Sequence, residues 1–322
     1  MKALIIGGAG YIGSHVALYL CDHDVEVTVF DNLSTGKKDN LDKRIDLVVG
    51  DIRNFNDLDH VFRQDQFEFV LHFAALKSPE ESMQYPEKYA RNNITGSLNI
   101  LNAMHSHGVR FIVFSSSCAV YGESKYLPID EQHPLLPLNY YGYTKLAIEE
   151  NLSWYARLGK INYAALRYFN AAGYDRKGRI RGREVQPTNL LPIIMETANG
   201  ERQSMEVFGT DYATDDGSCI RDYIHVNDLA SAHFLAMKYI ADQKTSLVTN
   251  LATGRGYSVL KVIENAEMIT GRKITFKKSA RRKGDPAVVI AKTDLARELL
   301  GWQAKCSDLQ TILESMWEIY KG

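Results

Sequence analysis

Tyr141 stands four residues before Lys145, and the run Ser115-Ser116-Ser117 lies some two dozen residues upstream. A phenol, an ammonium and a hydroxyl form the set needed to draw a proton from an alcohol while its carbon gives up a hydride. A free phenol titrates near 10, so a tyrosine acting as a base near neutrality must be depressed by roughly three units, or ~4 kcal/mol. A close ammonium, and any second cation beside the ring, favours the phenolate. The Ser117 hydroxyl is suited to hold the alcohol oxygen that loses its proton.

The spacing alone is weak evidence, because Tyr-x-x-x-Lys occurs three times in the chain. Tyr121 and Lys125 sit in Tyr-Gly-Glu-Ser-Lys, a loop composition in which residues four apart need not share a face. Tyr257 and Lys261 are expected to begin a helix, with no serine cluster before them. Tyr141 and Lys145 open a stretch in which Tyr141, Lys145, Ile148, Leu152 and Tyr155 recur at helical spacing. That stripe puts a lysine on a buried face, which is costly unless the charge is used.

Such a set needs a redox partner, and the N-terminus supplies a place for one. Lys2 to Ile6 is a short apolar run followed directly by Gly7-Gly8-Ala9-Gly10-Tyr11-Ile12-Gly13. A helical stretch from about Tyr11 to Cys21 follows, then a second apolar strand from Glu26 to Phe30 that ends at Asp31. Strand, glycine turn, helix, strand and acid make the nucleotide-binding half of a doubly wound fold. The glycines permit close backbone approach, and the helix N-terminus offers free N–H groups to a pyrophosphate. Asp31 is placed to accept from both ribose hydroxyls and would repel a 2′-phosphate, so NAD is favoured over NADP, although Lys37 and Lys38 lie nearby. Asp51, after the apolar run Leu47 to Gly50, is placed either to reach the adenine edge or simply to end a strand. The serines fall at the C-terminal end of the expected strand Phe111–Ser115, where doubly wound sheets place their ligands.

Further segments carry a resemblance over almost the whole chain: Gly50-Asp51-Ile52-Arg53, His72-Phe73-Ala74-Ala75-Leu76-Lys77, Phe114 to Gly122, Leu166-Arg167-Tyr168-Phe169-Asn170, Asn189-Leu190-Leu191-Pro192, Ile220 to Val226, and Arg281-Arg282-Lys283-Gly284-Asp285. Together with the glycine loop and the Tyr–Lys pair, they resemble the extended short-chain dehydrogenase/reductases, and within them the UDP-glucose 4-epimerases. The resemblance implies an NAD site lined by Gly7, Gly10, Tyr11, Ile12, Asp31, Asn32, Asp51, Ile52, Phe73, Ala74, Lys77, Asn92 or Asn93, Tyr141, Lys145 and Tyr168. It implies that Ser117 and Tyr141 handle the sugar 4-hydroxyl and that Lys145 bridges to the nicotinamide ribose. Asn170, Asn189, Leu190, Arg221, Arg282 and Asp285 would hold the UDP half, in keeping with the affinity of arginine for a pyrophosphate. The implied reaction is reversible inversion at C4 of a UDP-hexose through a 4-keto intermediate, with NAD retained throughout. Pairing of the helices around Asn92 to His107 and Tyr141 to Leu158 with those of a second subunit implies a homodimer.

Departures from related enzymes narrow the reading. Sugar-nucleotide 4,6-dehydratases carry an acidic pair after the catalytic hydroxyl; Cys118 and Ala119 occupy those positions here. The segment Tyr174 to Gln186 is basic, with Arg176, Lys177, Arg179, Arg181 and Arg183, and reads as a loop near the pyrophosphate or as a solvated charge run. Val288 stands where a tyrosine in relatives excludes N-acetylated sugars, so UDP-N-acetylhexosamines are expected to be admitted. The same site on this fold could serve a UDP-hexuronate or UDP-pentose 4-epimerase, or a nicotinamide-binding sensor.

Composition agrees with an enzyme of this class. A chain of 322 residues, 45% hydrophobic, can bury one large core or two joined ones. A net charge of −1 gives no field for nucleic acid. Cys21, Cys118, Cys219 and Cys306 lack metal or redox spacing, which favours a reducing cytoplasm. No window has the length of a membrane span, and the first strand begins at residue 2, leaving no room for a signal peptide. The expected architecture is α/β, a doubly wound parallel sheet with a smaller interleaved α/β portion. Residues 1–170, with 218–240 returning to them, form the NAD-binding domain; 171–217 and 241–322 form the nucleotide-sugar-binding domain. The expected sheet strands are Ala3–Ile6, Glu26–Phe30, Asp46–Val49, Phe69–Phe73, Phe111–Ser115 and Tyr163–Arg167.

Overall fold

The computed structural model describes residues 1–184, 187–282 and 285–321. Its frame is a parallel sheet of seven strands: β1 (Lys2–Ile6), β2 (Glu26–Asp31), β3 (Asp46–Val49), β4 (Phe69–His72), β5 (Phe111–Ser117), β6 (Asn162–Tyr168) and a strand from far down the chain, β10 (Leu247–Leu251). They lie in the order β10-β6-β5-β4-β1-β2-β3, so the winding reverses between β1 and β4. The crevice at that reversal, outside the strand C-termini, is where such sheets take their ligands. Strands covered on both faces read as continuous apolar runs, and β1 and β4 do.

Helices cover both faces. On one side α1 (Tyr11–Cys21) and α8 (Val226–Gln243) bury Val16, Leu20, Leu229 and Met237 against the sheet. On the other, α2 (Phe55–Gln64), α5 (Gly96–Ser106) and α6 (Tyr140–Arg157) bury Leu58, Val61, Leu101, Met104, Ile148 and Leu152. Two short helices, α3 (Pro79–Gln84) and α4 (Pro86–Tyr89), lead through a wide π turn at Ala90–Thr95 into α5.

A third apolar cluster gathers α7 (Leu190–Ala198), α9 (Val259–Thr270) and α11 (Leu309–Tyr320) through Leu191, Ile194, Val262, Ile263, Ile312 and Leu313. Its strands are short. β8 (Met205–Phe208) pairs with β12 (Phe276–Ser279), while β9 (Ile220–His225) pairs with β7 (Asn170–Ala172), β11 (Gly256–Ser258) and β13 (Val288–Val289).

Two expectations need correction. The stretch 241–322 does not stay in the smaller portion: β10 adds to the large sheet beside β6, and α10 (Asp294–Leu300) packs Ala296 and Leu300 on the same core as α8. The cause is α8, which packs on the large sheet and leads the chain directly into a strand parallel to β6. Tyr257 does not begin a helix; it lies on β11, and α9 starts two residues later with Ser258 as its cap, Oγ accepting from Lys261 N–H at 3.2 Å. Among the described residues, no helix is long and apolar enough to cross a membrane.

Candidate active site

Strand β5 continues past its expected end, and Ser115, Ser116 and Ser117 pair in register with Leu166, Arg167 and Tyr168 of β6. The chain then turns tightly through Cys118–Val120, with Ser117 Oγ accepting from Ala119 N–H at 3.2 Å. Helix α6 starts against this turn. Asn139 caps it by accepting from Gly142 N–H at 2.9 Å, and Tyr141 N–H donates to Ser82 Oγ at 3.0 Å. Gly142 is required by the approach, since a Cβ there would stand 2.5 Å from the Ala119 carbonyl oxygen. That contact brings Tyr141 beside Ser117, close enough for the serine hydroxyl to pull the phenol titration down. One turn on, Lys145 is 3% exposed and donates from Nζ to the Ser115 carbonyl at 2.7 Å. Its ammonium lies 4.8 Å from the Phe114 ring centroid and 5.9 Å from that of Tyr141. Ser117, Tyr141 and Lys145 are therefore brought together.

Their electrostatics differ from the expectation. Burial pushes the Tyr141 phenol up to about 12, against a smaller downward pull from Ser117. Burial likewise takes Lys145 down to about 7, with Glu149 opposing. The ammonium is turned to the Ser115 carbonyl, so desolvation rather than the lysine governs the phenol. The polypeptide alone does not depress Tyr141.

The glycine loop forms a cradle at the crevice. Gly7 has φ +81°, and a Cβ there would meet the Ala74 backbone nitrogen at 2.4 Å; one at Gly13 would meet the Gly7 carbonyl oxygen at 2.4 Å. Gly10 caps α1 without a side-chain acceptor, which leaves the N–H groups of Tyr11 and Ile12 for a ligand. Asp31 ends β2 and is held by N–H donors from Ala9 (3.0 Å) and Leu33 (2.8 Å). Asp51 is bonded by Arg53 and by Asn32 Nδ2 at 2.9 Å; the Arg53 guanidinium holds its carboxyl well below the carboxylate range. Ile52 is buried beside them. Past β4, the N–H groups of Phe73 and Ala74 donate to the Ile6 carbonyl, and Lys77 pairs with Glu184 at 2.7 Å. Tyr168 places its hydroxyl 2.9 Å from His233 Nε2. This cradle, uncapped helix and strand-end carboxylate fit a dinucleotide without a 2′-phosphate.

The pair Asn92 and Asn93 is resolved by geometry. Asn93 is buried; its amide donates to the Leu76 carbonyl and Thr144 Oγ1, each at 3.0 Å, and its oxygen accepts from Leu76 N–H. It fixes the Leu76 loop to α6 and has nothing left for a ligand. Asn92, half-buried, bonds only Asn93.

The expected UDP-binding residues sit on shorter elements. Asn170 donates to the Asp222 carbonyl at 2.8 Å; Asn189 stands at the N-cap of α7 without a side-chain cap bond, and Leu190 opens that helix. Arg221 reaches Asp285 at 3.2 Å and the Pro286 carbonyl at 2.9 Å, and Arg282 stacks on Phe208 at 4.1 Å. Lys283 and Gly284 of the matching motif, and Val185 and Gln186 of the basic segment, lie outside the described residues. Val288 was expected beside the sugar. Its carbonyl accepts from Ser124 Oγ at 3.2 Å, but it is Val289 that packs into the cluster with Val120, Tyr121, Cys118 and Leu146. Neighbours on a strand face opposite ways, so Val289 is the side chain on the Cys118 side.

Three polar residues escaped the sequence reading. Asp222 is fully buried and accepts from the N–H groups of Thr253 and Gly254, tying β9 to the loop after β10. Glu149 and Arg167 form a buried pair at 2.6 Å beneath the serines. The signal for Glu149 was available: it continues the i, i+4 series from Tyr141 and Lys145 onto an apolar face.

Known proteins bear on this geometry. Residues 3–252 match the NAD dependent epimerase/dehydratase family. A UDP-glucose 4-epimerase of Halalkalibacterium halodurans is 44% identical over 321 residues, covering 100% of this chain and 96% of the relative. The crystal structure of UDP-glucose 4-epimerase from Brucella ovis in complex with NAD superposes with a TM-score of 0.96 at 41% identity, covering 99% of this chain and 98% of that one. The UDP-Glc/GlcNAc 4-epimerase of Campylobacter jejuni gives a TM-score of 0.87 at 37% identity, with 99% of each chain covered.

Proposed function

The chain belongs to the NAD dependent epimerase/dehydratase family and is an NAD-dependent epimerase, and from that premise we propose that it interconverts UDP-glucose and UDP-galactose by inversion at C4. The observation that carries the reading is the convergence of Tyr141, Ser117 and Lys145 at the C-terminal end of β5, with Cys118 and Ala119 where a dehydratase needs acids.

Gly7, Gly10, Tyr11 and Ile12 hold the pyrophosphate of the dinucleotide, and Asp31 holds its adenosine ribose. Asn32, Asp51 and Ile52 lie along the adenosine half; Phe73, Ala74, Lys77, Asn92 and Tyr168 line the remainder. When bound there, NAD would supply reversible hydride acceptance and a positive charge that favours the phenolate. Tyr141 takes the proton of the sugar 4-hydroxyl and gives it back. Ser117 holds that oxygen, and Lys145 keeps a positive charge within reach of the ribose and the phenol. Asn170, Asn189, Leu190, Arg221, Arg282 and Asp285 keep the UDP half while the 4-keto sugar turns to present its other face. Oxidation and reduction cancel, so the cofactor must stay bound from start to finish.

Admission of UDP-N-acetylhexosamines belongs to the same reading, now with Val289 beside the sugar. So does a homodimer through α5 and α6, supported by the exposed Tyr143, Trp154 and Leu158. Free thiols at all four cysteines favour the cytoplasm. The test is to incubate the purified protein with UDP-galactose and no added cofactor, and to look for UDP-glucose by chromatography. Conversion is expected; its absence with NAD still released on denaturation overturns the substrate, and absence of both overturns the reading.

A further inference from the structure

Lys145 has a carboxylate one helical turn beyond it. Glu149 is 5% exposed, and Arg167 of β6 clasps it, with Nη2 at 2.6 Å from Oε2 and Nε at 3.1 and 3.2 Å from the two oxygens. The Ser116 hydroxyl donates to Glu149 Oε1. Ser116 sits between Ser115, whose carbonyl accepts from the Lys145 ammonium, and Ser117, whose side chain lies beside Tyr141. Behind the pair, Arg167 Nη1 donates to the Tyr121 hydroxyl at 3.0 Å, which donates to Asn250 Oδ1 at 2.6 Å. One network thus spans α6, β5, β6, the turn after β5, and β10.

A buried ion pair is a poor way merely to join packed elements, since apolar side chains of like volume do so at no desolvation cost. The groups facing Lys145 suggest what it does. On α6 they are the Tyr141 phenol and Glu149; on β5, the Phe114 ring and the Ser115 carbonyl; on β4, His72, which burial keeps neutral; on β6, Arg167 behind Glu149. Among these, Glu149 alone is anionic. We infer that Glu149, clasped by Arg167, is a positioning residue of the reaction: through Ser116 it fixes Ser117 against Tyr141, and its charge keeps Lys145 an ammonium. This rests on the epimerase reading.

The sign follows. Burial lowers the Lys145 titration to about 7, and Glu149 opposes that fall. Removing the carboxylate lowers it further, so the ammonium is lost at lower pH and the alkaline limb of turnover moves down.

Glu149→Gln, which removes the charge but keeps an amide oxygen to accept from the Arg167 guanidinium and the Ser116 hydroxyl, carries the test beside wild type, with Glu149→Asp as the variant that keeps the charge. Two readouts are taken on the enzyme as isolated: the titration of the Lys145 ¹³Cε resonance, assigned with Lys145→Arg, and kcat for UDP-galactose against pH. The expected result is a folded Glu149→Gln variant whose lysine midpoint moves to lower pH. The ratio of kcat at about pH 6 to that at about pH 9 should rise about fivefold, with KM within about twofold. A folded Glu149→Gln variant whose titration and pH profile overlay wild type overturns the inference. A wild type that does not epimerise overturns the reading beneath it, and the inference with it.

Discussion

The redox end and the UDP end are built differently. Ser117, Tyr141 and Lys145 stand on a seven-residue strand and an eighteen-residue helix, packed by Gly142 against the turn between them. Asn189, Arg221, Arg282 and Asp285 stand on a helix cap, a strand of the smaller sheet and loop positions, half-buried or exposed, with Arg221 bonding Asp285. Proton transfer needs reacting atoms held within a few tenths of an ångström, which long regular elements supply. A sugar that must turn over mid-reaction needs the opposite: a firm hold on the charged nucleotide and little on the hexose. The difference in construction matches that division of labour.

The sharpest way to break the comparison is at the rigid end. Tyr141→Phe removes the proton carrier while leaving the ring and its packing. Turnover should fall about 10³-fold, with NAD content after gel filtration unchanged. Near-normal turnover would mean that another group moves the proton.

At the grip the expected effect is smaller and of another kind. Arg221→Leu removes the cation proposed to hold the diphosphate and also frees Asp285 and the Pro286 carbonyl. Charge-assisted hydrogen bonds contribute about 1.5–3 kcal/mol, so KM for UDP-galactose should rise about 10- to 100-fold, with kcat changed far less. A loss confined to kcat would place Arg221 in the chemistry and erase the contrast between the two ends.

The two ends also differ in how far the sequence exposes them. The glycine turn, the acid ending β2 and the Tyr–Lys pair on α6 are local signals, set by spacing within one or two elements, and the structure has them where the periodicity puts them. Asp222, β10 and the pairing of β9 with β7, β11 and β13 depend on contacts between segments some 30 to 83 residues apart, which no local period encodes. The direction of the Tyr141 shift was also hidden, because it depends on burial rather than on which residues are neighbours in sequence.

Val288 and Val289 are the sharpest case of what spacing cannot decide. Two identical residues form a two-residue strand, and a slip of one exchanges the faces they present. Position after Asp285 pointed to Val288; packing with Val120, Tyr121 and Cys118 points to Val289. A phenol ring introduced on the Cys118 side takes space from an N-acetyl group but not from a hydroxyl. Pocket contacts of that size discriminate by about tenfold. Val289→Tyr should therefore lower the ratio of UDP-N-acetylgalactosamine to UDP-galactose turnover about tenfold, while Val288→Tyr leaves it within about twofold. The reverse pattern would return the specificity position to Val288. An unchanged ratio in both would mean that the sugar does not meet this strand, and that the loose half of the site is looser than its packing indicates.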